Sequence, residues 1–429
     1  MSSQAATAPS MSFRDVLRID VMRRVWYAQV ISLFGDFLAL FAVIVVVSFT
    51  MHGTPNQITG VQIFYMLPIV FVGPIAGVFV DRWPLKPTLV ASDLIRAVLA
   101  MLLIPATSIW HVYVVLAALS CVSAFFGPAQ QVTIRAHVPA PGLMSANALM
   151  QMAFMGMRVV GPATAGAIAA SFGPRTCYAI DVASFIVSAA LIGSVAIRRA
   201  PSAQAPAASS SNRIHAIWRD MVQGVNFIFH HAAIFFVVMA MAAGLFTIGC
   251  FGPLIAIFVR DTLHGSARLF GFVSAMVGVG LLIGTHVIRK LAARTTDDVL
   301  VLSGLAGIGA GVFLLGAVPH RVATLIAAVA IGFAFAAIMV PAQTLLQRET
   351  PHEMIGRVSS TNISVAFLAQ IIGLVLSGVL ADAFGVRMVF ILCAGLAMAM
   401  AAGGRVFLHG SRSAKAFEDV KKSRQRKGR

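Results

Sequence analysis

Long apolar runs alternate with short polar breaks along this chain. Twelve runs separate, at about 25–50, 60–80, 88–106, 111–134, 146–170, 175–197, 232–259, 269–291, 299–318, 321–345, 359–381 and 387–408. About 20 consecutive apolar residues let a helix cross the hydrocarbon core of a bilayer. A helix also satisfies its own backbone polar groups where no water can do so. The pattern therefore predicts an all-α integral membrane protein with twelve transmembrane helices in two six-helix bundles. The third run, which opens on Asp93 and Arg96, and the fifth, which holds Arg158, fit least well.

The breaks divide the chain into a cytoplasmic segment 1–24, a bundle 25–197, a linker 198–231, a second bundle 232–408 and a basic tail 409–429. Ala200 to Asn212 is rich in Ala, Ser and Pro, as in a flexible linker. From Arg213 to His231 the apolar residues Ile214, Ile217, Trp218, Met221, Val225 and Ile228 recur at helical spacing. Such a helix lies in the membrane interface or offers its face to a soluble partner.

Composition agrees. Of 429 residues, 59% are apolar and 11% charged, against about 25% charged in soluble domains; the mean hydropathy is +0.89. A net charge of +17 raises the question of nucleic acid. The distribution answers it: with the N terminus inside, about 26 of the 32 Lys and Arg fall in segments on the cytoplasmic side. That is the bias which orients spans in a membrane, so no nucleic-acid partner is expected. An even number of spans, both termini in the cytoplasm and an inner-membrane location fit best. The first 24 residues do not read as a secretory signal, because the apolar run after them is too long. Cys121, Cys177, Cys250 and Cys393 lie in or beside apolar runs without metal or disulfide spacing. Neither a zinc-protease His pair, nor a nucleophile elbow, nor a phosphate loop is found, so the chain is not read as an enzyme. No cofactor is expected.

The two halves repeat. Pro128-Ala129-Gln130 and Arg135 return as Pro341-Ala342-Gln343 and Arg348. Phe172-Gly173 and Arg175 return as Phe384-Gly385 and Arg387, and Gly73, Gly77 and Arg82 as Gly280, Gly284 and Arg289. The offsets are about half the chain, as in a duplicated six-span unit.

Gly77-Val78-Phe79-Val80-Asp81-Arg82-Trp83-Pro84-Leu85-Lys86 resembles the loop between spans two and three that marks the major facilitator superfamily. Ser32-Leu33-Phe34-Gly35-Asp36, Ser92-Asp93-Leu94-Ile95-Arg96-Ala97, Phe126-Gly127-Pro128-Ala129-Gln130, Gly161-Pro162 and Asp181-Val182-Ala183-Ser184-Phe185 extend the resemblance to the macrolide-efflux and enterobactin-exporter branch. It covers nearly all of 20–405. It implies a secondary transporter working by alternating access, probing its substrate from a cavity lined by spans 1, 4, 7 and 10. It further implies proton-coupled export of a small amphipathic, drug-like or siderophore-like molecule, by a monomer. Uptake or facilitated diffusion of a metabolite remains the alternative. Two departures stand out: Pro84 occupies a position usually held by glycine, and the fourth span lacks the arginine of many drug–proton antiporters.

The resemblance implies a cytoplasmic gate at Gly77, Asp81, Arg82 and Lys86. Asp81 would face the positive N-terminal end of the eleventh span, while Arg82 and Lys86 also serve as positive-inside residues. Gly161, Pro162 and Gly166 form an interface motif or simply pack closely. Asp93, Arg96, Gln130, Arg135, Gln343 and Arg348 are read as polar residues at the cytoplasmic ends of spans. Asp36 and Arg158 fall at similar depth in spans one and five, where an unpaired charge is costly, so they are expected to pair. That pair, with Asp181, supplies the candidates for proton coupling; a static ion pair, or a locally capping Asp181, is the other reading.

Overall fold

The computed structural model describes residues 11–80, 82–197, 222–223, 225–351 and 354–427. No strand occurs among them. A short helix α1 (Phe13–Arg18) is capped by Ser12, whose hydroxyl accepts from the Asp15 amide while Asp15 accepts from the Ser12 amide. The Ser12 hydroxyl, and after it the Ser12 amide, donate to the exposed Asp15 carboxyl and hold it below its ordinary pKa. Long helices follow: α2 (Asp20–Val45), α3 (Pro55–Val80), α4 (Leu85–Leu102), α5 (Ile109–His137), α6 (Leu143–Phe172) and α7 (Pro174–Gly193). The second set is α8 (Ala232–Ile257), α9 (Ala267–Leu291), α10 (Asp297–Ala317), α11 (Arg321–Glu349), α12 (Ile355–Phe384) and α13 (Val386–Lys427).

Eleven of these helices are long and apolar enough to cross a membrane. The exception is α4, with 18 residues and the charges Lys86, Asp93 and Arg96. Its pattern explains why composition misjudges it. Leu94, Ile95, Val98, Met101 and Leu102 are exposed, whereas Thr88, Ser92, Asp93 and Arg96 are buried. The helix is apolar outside and polar inside, the reverse of a helix on the surface of a soluble protein. Asp93 and Arg96 thus lie in the interior, about halfway along α4 rather than at its end.

The chain forms two compact units, Met1–Ala205 with His264–Ala275, and Pro206–Leu263 with Met276–Arg429. In the first, α2 packs on α6 and α7, and α4 on α5 and α7. In the second, α8 packs on α12 and α13, and α10 on α11 and α13. The packing thus repeats helix for helix. So does the backbone. Single π turns end α2 and α8, at Val46–Thr50 and Phe258–Thr262. His52 and His264 then adopt left-handed φ of 49° and 45°, uncommon for a non-glycine residue. Gly173 and Gly385, with φ of 84° and 80°, join α6 to α7 and α12 to α13. All three correspondences share the offset of the sequence repeat.

The described part of the expected amphipathic helix, residues 222–223 and 225–230, is helical; its start and the Ala/Ser/Pro linker lie outside the described residues. The basic tail is not a separate segment of backbone, because α13 continues through Lys427.

Within the second unit α8 and α12 approach backbone to backbone. A Cβ at Gly249 would lie 2.3 Å from the Gln370 carbonyl oxygen, and one at Gly373 2.3 Å from that of Phe246. Gly249→Val should therefore lower stability by about 1–3 kcal/mol through overpacking, read as a lower melting midpoint in detergent. Gly395→Val, whose Cβ meets nothing within 4 Å, should leave the midpoint unchanged; equal midpoints for both variants would contradict the packing account.

Candidate functional site: a buried charge cluster in the first unit

Three helices of the first unit bring ionisable groups together. Asp36 lies near the middle of α2 and its π turn. Asp93 and Arg96, three residues apart, project from one face of α4. Asp181 lies two turns into α7. The Arg96 guanidinium bonds Asp93 and stands 3.8 Å from the Asp36 carboxylate. It is sandwiched by the rings of Phe126 and Phe185, at 4.5 and 4.4 Å from their centroids. The second carboxylate oxygen of Asp93 accepts from Ser188 Oγ at 2.6 Å. Ser184 donates to the Asp181 carbonyl at 2.7 Å. Asp181 lies within electrostatic reach of both Asp36 and Arg96, and so does Tyr65 of α3.

Gly35 makes this convergence possible. A Cβ there would fall 2.1 Å from Ser184 Oγ and 2.5 Å from Asp181 Oδ1. Without one, α7 brings Asp181 against the α2 backbone beside Asp36. Exposure separates the carboxylates: the Asp93 side chain is 0% exposed, that of Asp36 28%. Asp93 and Arg96 are locked together, while Asp36 keeps an accessible edge. Three carboxylates and one guanidinium carry two excess negative charges when all are ionised. At membrane depth an uncompensated charge costs several kcal/mol.

The expected Asp36–Arg158 pair does not form. Asp36 takes Arg96 as its cation, because α4 turns its polar face inward where α2 and α7 meet. Arg158, at the middle of α6, makes no ion pair or hydrogen bond among the described residues. Equal depth does not imply proximity, since each helix also has a rotational setting.

The other candidates are dispersed. Asp81 lies outside the described residues; Arg82 is exposed, Lys86 half-buried, and a Cβ at Gly77 meets nothing within 4 Å. Pro84 caps α4 with φ −65°, which suits proline. A Cβ at Gly161 would lie 2.6 Å from Phe37 Cβ. At Gly166 it would lie 2.8 Å from Gly271 Cα, while Pro162 offers its carbonyl to the same glycine. Gln130 hydrogen-bonds Gln29, Arg135 and Gln343 are exposed, and Arg348 reaches Asp297 at 3.8 Å. Sequence reasoning missed Tyr65, Ser184 and Ser188. The last two were signalled by the polar stripe Asp181, Ser184 and Ser188 at one-turn spacing in an apolar helix.

Comparison with known proteins follows the same lines. A family model described as transmembrane secretion effector matches residues 12–424. The uncharacterized MFS-type transporter YfiS of Bacillus subtilis is 26% identical over 373 residues, 85% of this chain and 88% of the relative. Macrolide efflux protein A of Streptococcus pyogenes is 23% identical over 388 residues, 88% of this chain and 93% of the relative. In three dimensions the chain is similar to a bacterial homolog of the human lysosomal transporter Spinster. The TM-score is 0.70 at 14% identity, covering 91% of this chain and 98% of that one.

Proposed function

Because the chain belongs to the transmembrane secretion effector family of major facilitator transporters, we propose that it exports a small amphipathic molecule in exchange for protons. Family membership makes it a multi-pass membrane transporter of a small molecule, and not an enzyme. The proposal adds direction, coupling and topology: α2 to α13 as twelve spans, both termini cytoplasmic, in the cell membrane.

The observation that carries the coupling is the cluster of Asp36, Asp93, Arg96 and Asp181. Charge counting gives its chemistry. Each proton bound removes one of two excess negative charges from a water-poor site. Asp36 is the port, since its carboxylate is the accessible one and only one cation faces it, at 3.8 Å. Asp93 and Arg96 act as the fixed dipole that holds Asp36 in place. Export is supported by the efflux relative, and an amphipathic substrate by the aromatic lining of α2 and α6, where Phe37 and Phe154 pair at 5.8 Å between centroids.

The test uses bacteria stripped of their own pumps, expressing this chain and loaded with ethidium, erythromycin or the anionic 1-pyrenebutyrate. Expressing cells should retain several-fold less of at least one compound than control cells, and a protonophore should abolish the difference. Accumulation on expression would overturn the export direction.

A further inference from the structure

We infer that Arg158 is the docking point for an anionic group, such as a carboxylate, on the transported molecule. Arg158 stands at the middle of the 30-residue α6. The other arginine set deep in the spans of this unit, Arg96, is neutralised by Asp93 and Asp36. Arg158 has no such partner among the described residues, although it is half-buried. A guanidinium at this depth without a counter-charge is unfavourable, so a ligand that supplies one gains a strong, charge-assisted contact.

The rotational setting of α6 gives the direction. At about 100° per residue, Arg158 points roughly opposite to Val160 and Ala167, which are exposed. Arg158 lies instead on the side of Phe154 and Gly161, one turn away on either hand, both of which contact Phe37 of α2. Gln151, two turns earlier, shares the Arg158 face and is exposed. That face therefore offers a cation, an amide and a partly exposed aromatic pair in an otherwise apolar helix. These groups suit an amphipathic anion, with its ring system on Phe154 and Phe37 and its charge on Arg158. Asp36 is engaged with Arg96, so it does not compete for Arg158.

The inference deepens the transport reading, on which it rests for the meaning of the bound molecule. Its test needs no transport. Purified full-length protein in detergent is titrated with 1-pyrenebutyrate and with the neutral 1-pyrenebutanol, using energy transfer from tryptophan. The wild type should bind the carboxylate at least tenfold more tightly than the alcohol. Arg158→Gln should erase the preference and melt no lower than wild type, because it removes an unpaired charge. Arg158→Lys should keep most of the preference. Equal binding of the two probes by the wild type, no binding of either, a preference retained by Arg158→Gln, or a Gln variant that fails to fold would each overturn the assignment. Failure of export in cells, with the binding preference intact, would count against the transport reading alone.

Discussion

Replacing Arg96 by methionine should remove most of the folded protein. The side chain is 4% exposed and is the shared cation of Asp93 and Asp36. Removing one partner of a buried ion pair leaves the other charge uncompensated, at a cost of about 3–5 kcal/mol. Here two carboxylates lose their cation together, and the rings of Phe126 and Phe185 lose the group between them. The measurement is the monodisperse yield and melting midpoint in detergent. Asp93→Asn combined with Arg96→Met should recover much of the loss, because the second change no longer leaves a buried anion on α4. A single Arg96→Met variant as stable as wild type would show that the cluster contributes nothing to the fold.

Asp36→Asn should do the opposite, sparing the fold and disabling transport. Its side chain is partly exposed and meets Arg96 at 3.8 Å rather than at hydrogen-bond distance, so neutralising it costs little packing. Arg96 keeps Asp93, and Ser188 keeps its acceptor. What is lost is the accessible carboxylate that takes and releases the proton. Protonophore-sensitive efflux should fall at least tenfold while expression and melting midpoint stay near wild type. Asp93→Asn is the informative contrast: at 0% exposure, with two partners, its loss should appear in stability first. If Asp36→Asn were the less stable and Asp93→Asn the less active, the division of labour would be reversed.

The architecture was largely written in the chain. Apolar runs located the helices, and Phe172-Gly173 and Phe384-Gly385 announced equivalent turns that do take the same left-handed φ. A further repeat, Thr50-Met51-His52-Gly53 with Thr262-Leu263-His264-Gly265, marks the paired π turns. The site was only partly legible. Asp36 and Asp181 stood out because charges are rare in spans, but depth alone suggested Arg158 as the partner. Arg96 reads from sequence as a polar residue at a helix end, because it stands near the start of an apolar run. The spacing of Asp93 and Arg96, with Leu94, Ile95 and Val98 between and after them, held the correction: the polar residues share one face and the apolar residues another. Which face turns inward depends on the lipid outside the bundle.

The central claim is that protons move through Asp36 as the substrate is exported. Everted membrane vesicles acidified inside by respiration, with acridine orange reporting the gradient, test it most directly. Adding a compound shown to be exported by wild-type cells should dissipate the gradient in wild-type vesicles, as protons leave in exchange. Vesicles with equal amounts of Asp36→Asn protein should show no such response. A response of equal size and rate in the Asp36→Asn vesicles would contradict the account.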